Sequence, residues 1–247
     1  MSYKGQAISY VFGDATVARI TASSSAAGVF AVLTGDIIKS TNLSAEQLDQ
    51  TRAVIRKGVR QFREKSRRAV SGLPEFFRGD AWQLLLKEPG SALRVALYIR
   101  ALLSAETDVQ TRISIGIGGV DVINRKRTSL SMGEAFTLSG HGLDMITGYF
   151  DLTGALPDRA GPLASWFPAI LCLCSGLVRP WTRRQAEIIS LALLLDNPTH
   201  ERIAGLLHPT VAKQTVTESL AGSGWRPLQE AILAFEETTW STVVGRR

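Results

Sequence analysis

Two carboxylates lie where a chain most readily does chemistry. The first, Asp36, follows the apolar run Phe30-Ala31-Val32-Leu33 and precedes the turn Ile37-Ile38-Lys39-Ser40-Thr41. A buried strand ending in Asp delivers its carboxylate to a sheet edge, where a metal or substrate can reach it. The turn after it frees backbone N–H groups that suit phosphate. The second, Asp80, sits in Gly79-Asp80, between Glu75-Phe76-Phe77-Arg78 and Ala81-Trp82-Gln83-Leu84-Leu85-Leu86. That pattern predicts strand, tight turn, strand, with Asp80 at the hairpin tip. Brought together, the pair would make a site for a divalent metal carrying a nucleoside triphosphate. Mg²⁺ takes one or two carboxylates from protein and completes its shell with water and phosphate oxygens. Two metals would polarise an attacking hydroxyl and stabilise a leaving pyrophosphate. The plainer alternative is a capping Asp and a turn Asp that never meet.

Whether they meet depends on the elements between them. Ser44-Ala45-Glu46-Gln47 is a capping box that opens a helix predicted over 45–69. Leu48, Ile55, Val59 and Phe62 recur at helical spacing and should face the core. The other face carries Arg52, Arg56, Lys57, Arg60, Arg63, Lys65, Arg67 and Arg68 against Glu64. It is a solvated face or an anion-attracting one. Ser71-Gly72-Leu73-Pro74 breaks the helix. After the hairpin, a helix is predicted over 91–106, with Leu93, Ala96, Leu97 and Leu103 as core candidates. Arg112-Ile113-Ser114-Ile115-Gly116-Ile117-Gly118-Gly119 alternates at period two and predicts a strand. The basic loop 125–127 follows, then a helix over 133–149 whose Ser139, Gly140 and Gly142 permit close packing.

Strand, helix, strand, strand, helix, strand predicts an α+β fold of ferredoxin-like βαββαβ type. Its sheet would be four-stranded and antiparallel, with helices on one face. The ends of the first strand and of the hairpin are then neighbours. Asp36 and Asp80 converge although 44 positions separate them.

The Gly-, Pro- and Asp-rich stretch 151–162 reads as a linker, and an all-helical segment follows. Helices are predicted over 168–178, from the capping box Thr182-Arg183-Arg184-Gln185 to 195, over 200–207, over 211–221 and from Trp225 to about 238. Two short helices across the turn His208-Pro209-Thr210, with a third before them, form a helix-turn-helix pattern. Gln214, Thr215 and Thr217 near the start of its second helix could read base edges. Arg183, Arg184, Arg202 and Lys213 are its candidates for DNA phosphate. Glu218 opposes DNA, so protein interaction or dimer packing stands as the alternative. Trp225 should be core.

The 247 residues suit one large domain or two small ones. The net charge of +6 is uneven: residues 30–150 hold 17 Lys/Arg and 12 Asp/Glu, whereas 151–247 hold 9 of each. Cys172 and Cys174 are too close to bridge comfortably and read as buried free thiols of a reducing compartment. No apolar run approaches a membrane span and the N-terminus lacks the order of a signal peptide, so a cytoplasmic protein without membrane contact is expected. Residues 1–29, with the small-residue run 22–28, read as a loosely attached flexible extension.

The segment from Leu33 to Thr41 resembles the first metal-binding motif of class III nucleotide cyclases, and Phe77-Arg78-Gly79-Asp80-Ala81 their second. Arg112 to Gly118 resembles the family's next strand, and Gly133 to Ser139 its final helix. More broadly, 30–240 resembles the SatD family of bacterial proteins, whose biochemical role is poorly defined. The resemblance implies that Asp36 and Asp80 are metal ligands, assisted by the Ile37 carbonyl. It implies that Ile38, Lys39, Ser40 and Thr41 offer amides, and Lys39 a charge, to phosphates. Phe76 matches the purine-selecting position and would stack on a base. Thr137 and His141 match the Asn and Arg that stabilise the cyclase transition state. Thr cannot present an amide, and His is only partly charged near neutral pH. Because cyclase sites of this class lie between two such domains, a homodimer is implied.

The expected organisation is therefore a flexible extension (1–29), a cyclase-like nucleotide-binding domain (30–150), a linker (151–162) and a helix-turn-helix domain (163–240). The expected function is a regulator that binds nucleoside triphosphate with Mg²⁺ or Mn²⁺ and signals to double-stranded DNA or a partner. An active nucleotidyl cyclase or nucleotidyltransferase is the first alternative, and a non-catalytic structural protein the second.

Overall fold

The computed structural model describes residues 28–124 and 127–245. The expected extension lies outside them up to residue 27, as do Arg125 and Lys126 of the basic loop.

The architecture is α+β. In chain order come β1 (Val29–Ile37), α1 (Ala45–Lys65), β2 (Glu75–Phe77), β3 (Ala81–Leu86), α2 (Ala92–Glu106), β4 (Thr111–Gly119), α3 (Glu134–Asp144), β5 (Leu152–Ala155) and α4 (Pro162–Val178). The strands form a five-stranded sheet in the order β2-β3-β1-β4-β5. All neighbours are antiparallel except β4 and β5, which are parallel. The stretch expected to be a linker thus contributes an edge strand. β1 also runs past the expected end, through Asp36 to Ile37.

Alternation along the strands fills both faces. Ala31, Leu33, Trp82, Leu84, Ile113 and Ile115 bury one face beneath Ile55, Val59 and Phe62 of α1 and the whole of α2. Each buried aliphatic side chain contributes about 1.5–3 kcal/mol. Val32, Leu85 and Val120 bury the other face around Ala135 of α3. Helices therefore cover both faces, not one. Gly116 is the reason α3 can lie so close: a Cβ there would sit 2.3 Å from the Ala135 carbonyl oxygen. Polar side chains fill the seam, with Thr34 and Ser139 hydroxyls 2.7 Å apart and Gln83 Nε2 donating to Thr34 Oγ1.

The remaining helices are α5 (Arg183–Leu194), α6 (His200–Leu206), α7 (Lys213–Gly222), α8 (Trp225–Glu237) and α9 (Trp240–Val243). Both capping boxes form: Ser44 with Gln47 and Thr182 with Gln185. α5 and α8 lie on the outer side of α2, which explains why α2 is buried from Ala92 to Leu103 at every position but Arg94. A single cluster of buried residues runs from the sheet through α2 to Ile189, Ile232 and Trp240. Arg94 of α2 forks onto Glu236 of α8 at 2.6 and 3.0 Å.

Buried Arg100 ties four elements together. It donates to the Thr111 carbonyl and to Asp151 Oδ2, which Arg179 after α4 also approaches at 3.3 Å. Cys174 is buried, which pushes its thiol up to about 11, and Cys172 is half-buried. Neither cysteine is in a disulfide.

Candidate functional site

Strand register brings the two aspartates to one place. Asp36 lies opposite Ala81 on β3 and opposite Arg112 on β4. Asp80 immediately precedes Ala81, and its carbonyl accepts the Ile37 N–H at 3.2 Å. Gly35 permits this closeness, since a Cβ there would meet the Trp82 indole at 2.5 Å. Beneath the pair, Thr111 Oγ1 donates to the Asp36 carbonyl and accepts from the Trp82 indole N–H at 2.9 Å.

Each carboxylate is held. Cross-strand partners share a face of a sheet, so Arg112 can grip Asp36 with two nitrogens, Nε to Oδ1 at 2.8 Å and Nη2 to Oδ2. The bond raises the Arg112 pKa above its ordinary value, against burial and with smaller help from Asp151 and Asp80. Ser40 Oγ donates to Asp80 Oδ2 at 2.5 Å. Among the described residues no hydrogen bond reaches Asp80 Oδ1. The hairpin tip is clamped from α1, where Arg52 donates to the Gly79 carbonyl at 3.1 Å from Nε and again from Nη2.

Two further cations, both exposed, belong to the turns that adjoin the pair. Lys39, with φ 55°, and Arg78, with φ 52°, both adopt left-handed conformations. Such residues persist where surrounding structure over-determines them, and they cluster at ligand sites. Two carboxylates with Arg112, Lys39 and Arg78 give a site matched to a polyanion that brings its own cation. Among the described residues no group of three or more His, Cys, Asp or Glu side chains is placed to hold a metal. Two carboxylates suit Mg²⁺, whose other ligands are water and phosphate. Arg112 must yield Asp36 to a metal or share it.

The other expected residues separate from this pair. The Ile38 N–H donates to the Gln110 carbonyl at 2.9 Å, so that amide is committed to the fold and not to phosphate. Lys39, Ser40 and Thr41 remain at the turn, where Ser40 begins a short 3-10 turn. Phe76 lies opposite the fully buried Trp82, one position out of phase with Ala81 and Asp36. It therefore occupies the opposite face, packed on the core, with the Arg56 guanidinium 4.6 Å above its ring. A base stacked on it would lie away from Asp36. Thr137 and His141 are exposed on α3, on the side opposite Ala135, Ser139 and Gly142. Thr137 lines a cavity of about 260 Å³ with Asp121, Gly133, Glu134 and Leu138 at the other end of the sheet. Within one molecule neither reaches the aspartates.

In the C-terminal helices, most of the expected DNA contacts are engaged internally. Arg183 donates to the Ala105 carbonyl at 2.8 Å, and Arg184 pairs with Glu187 at 2.5 Å. Lys213 pairs with Glu201 at 2.5 Å, and Gln214 donates to Glu218 at 2.9 Å. Thr217 Oγ1 lies 2.7 Å from His200 Nδ1, and Arg202 reaches the Asp196 carbonyl at 3.3 Å. Thr215 is exposed.

Arg112 is a functional candidate that the sequence does not single out, and Arg52, expected only on the basic face of α1, clamps the hairpin tip. Arg112 stood only as the first residue of an alternating strand, and its partner follows from register, which the alternation does not supply.

No protein-family model matches the chain, and no curated protein sequence matches it. Among solved structures, the guanylyl cyclase Cya2 is similar over 51% of this chain and 74% of that one, with a TM-score of 0.37 and 16% identity. No described helix is long and apolar enough to cross a membrane.

Proposed function

We propose that this protein is a regulator that binds a nucleoside triphosphate together with Mg²⁺ or Mn²⁺. In this reading β2-β3-β1-β4 with α1 and α2 is a ferredoxin-like palm of cyclase type, and α5 to α8 form the SatD-type helix-turn-helix output that contacts DNA or a partner. The observation that supports it is the meeting of Asp36 and Asp80 at adjacent strand ends beside Arg112, with Lys39 and Arg78 in the adjoining turns.

Asp36 and Asp80 would hold the metal, with the Ile37 carbonyl beside them. The bound metal would neutralise phosphate charge. Lys39, Ser40 and Thr41 would face the phosphates, and Arg112 would pair with them on leaving Asp36. Binding without cyclisation is the favoured reading, because Thr137 cannot present an amide and His141 is only partly charged near neutral pH.

The test is calorimetric titration of the full chain with ATP or GTP, with and without Mg²⁺, alongside a pyrophosphate-release assay. Metal-dependent binding without pyrophosphate release is expected, weakened at least tenfold in Asp36→Ala and in Asp80→Ala. Metal-independent binding, or none, would contradict it.

A homodimer has support from a different element. α4 has no charged residue, yet it exposes Trp166, Ile170, Leu173 and Leu177, spaced 4-3-4. That spacing is the seam of a helix pair. Ser165, Ala169 and Gly176 on the same exposed side allow close approach. An uncharged, repeating seam suits a second copy of itself.

A further inference from the structure

The protein's positive charge is concentrated on one element. Residues 52–68 hold eight Lys/Arg and one Glu, a net +7 against +6 for the entire chain. Three of these cations have partners in the fold: Arg52 clamps the hairpin tip, Arg56 sits over the Phe76 ring, and Lys57 pairs with Glu106 at 2.7 Å. Arg56, Arg60 and Arg63 recur at intervals of four and three along the exposed side of α1. Arg67 and Arg68 continue the patch in the turn that follows. Among the described residues none of these five arginines is in an ion pair. Arg60, Arg63 and Arg67 line a shallow cavity of about 310 Å³ with Glu64.

We propose that this face of α1 binds the phosphodiester backbone of duplex nucleic acid. From Arg56 to Arg63 the helix advances about 10 Å, a span over which a duplex presents several phosphates at one charge per roughly 1.7 Å of axis. The cavity among Arg60, Arg63 and Arg67 is a place for one of them. Arginine suits it because its planar fork meets two phosphate oxygens at once. A lipid surface is the other polyanion such a helix could meet, but membrane-surface helices embed an apolar face. Here Val54, Ile55, Val59 and Phe62 are buried against the sheet and α2. The recognition-helix residues Lys213, Gln214 and Thr217 make internal bonds, so α1 supplies the phosphate contacts they do not. Backbone contacts carry no sequence information, so this binding is indifferent to sequence. The proposal shares its nucleic-acid partner with the regulator reading and does not depend on Asp36 or Asp80.

The experiment is fluorescence anisotropy of the full chain with a labelled mixed-sequence DNA duplex of about two helical turns, at salt from about 50 to 200 mM. The triple variant Arg60→Gln/Arg63→Gln/Arg67→Gln should weaken binding at least tenfold and reduce the salt slope by about 2 to 3. The corresponding triple Arg→Lys variant should keep most of the affinity, and Lys213→Gln/Gln214→Ala should change it less than twofold. The same variants should keep the wild-type melting temperature by circular dichroism, which confirms folding, and any ATP binding of the wild type should be unchanged in them, which separates this proposal from the triphosphate site. Absence of duplex binding by the wild type would overturn it. So would unchanged binding by the triple Gln variant, loss confined to the recognition-helix variant, or preference for phosphatidylserine vesicles over duplex.

Discussion

At the residue scale, the account turns on Arg112. Its two bonds to Asp36 place a protein cation where a metal is proposed to bind. Replacing it would free Asp36 for the proposed metal and remove a proposed phosphate partner. Arg112→Gln should therefore raise affinity for Mn²⁺ alone by about tenfold, about 1.4 kcal/mol, and lower affinity for the metal–triphosphate complex. Mn²⁺ titration with and without ATP separates the two effects. Because the pair is partly exposed, the cost in stability should be only about 1 kcal/mol.

Glu75 offers a second test at this scale. Burial works against its charge, but bonds from the Ser129 N–H and hydroxyl, with Arg127, hold its carboxyl below the usual range. A lowered folded-state pKa stabilises above the unfolded value of about 4.3 and loses that stabilisation as pH falls through the folded one. Acid titration of wild type against Glu75→Gln should show a stability difference at neutral pH that shrinks as pH falls through the unfolded value of about 4.3 and is lost only below the lowered folded value. A difference that persists in acid would contradict the assignment.

At the element scale, local chemistry foretold the capped helix starts but not every boundary: α1 ends at Lys65 and not at 69, α3 at Asp144 and not at 149, and α4 begins at Pro162 and not at 168. Ser44 and Thr182 open their helices where the capping boxes sit, because the cap is written in four adjacent residues. β5 was not legible in this way. Leu152-Thr153-Gly154-Ala155 has little strand character of its own, and it is a strand because β4 pairs with it. The place of α3 was half-written. Gly116 and Gly118 leave the far half of one face of β4 without side chains, and Ala135, Ser139 and Glu134 lie over that space. Phe76 was misplaced for a related reason: period two gives two faces, and only register says which one holds Asp36. The dimer prediction belongs here too. Trp166→Glu/Leu173→Glu on α4 should convert a dimer to a folded monomer in sedimentation with unchanged far-UV circular dichroism, since within one chain these residues are 66% and 73% exposed. A wild-type monomer, or a variant that stays dimeric, would remove α4 as the contact.

At the scale of the whole molecule, the expected sheet unit and helical unit share one buried cluster, joined through α2 and the Arg94–Glu236 fork. Composition along the chain shows the change from mixed to helical segments but not that they share a core, because the packing of α5 and α8 on α2 is long-range. The convergence of Asp36 and Asp80 was legible, since the order of elements alone makes those strand ends neighbours. The grip of Arg112, the clamp of Arg52 and the outward side of Thr137 and His141 were not, since each depends on register or helix rotation. The central claim is that the aspartate pair holds a metal together with a nucleotide. Electron paramagnetic resonance of Mn²⁺ mixed with ATP and the full chain tests it most directly. The account predicts a bound Mn²⁺ signal with the wild type that is lost in Asp36→Asn and in Asp80→Asn while both variants keep the wild-type melting temperature. A bound signal that survives in both variants, or none with the wild type, would contradict it.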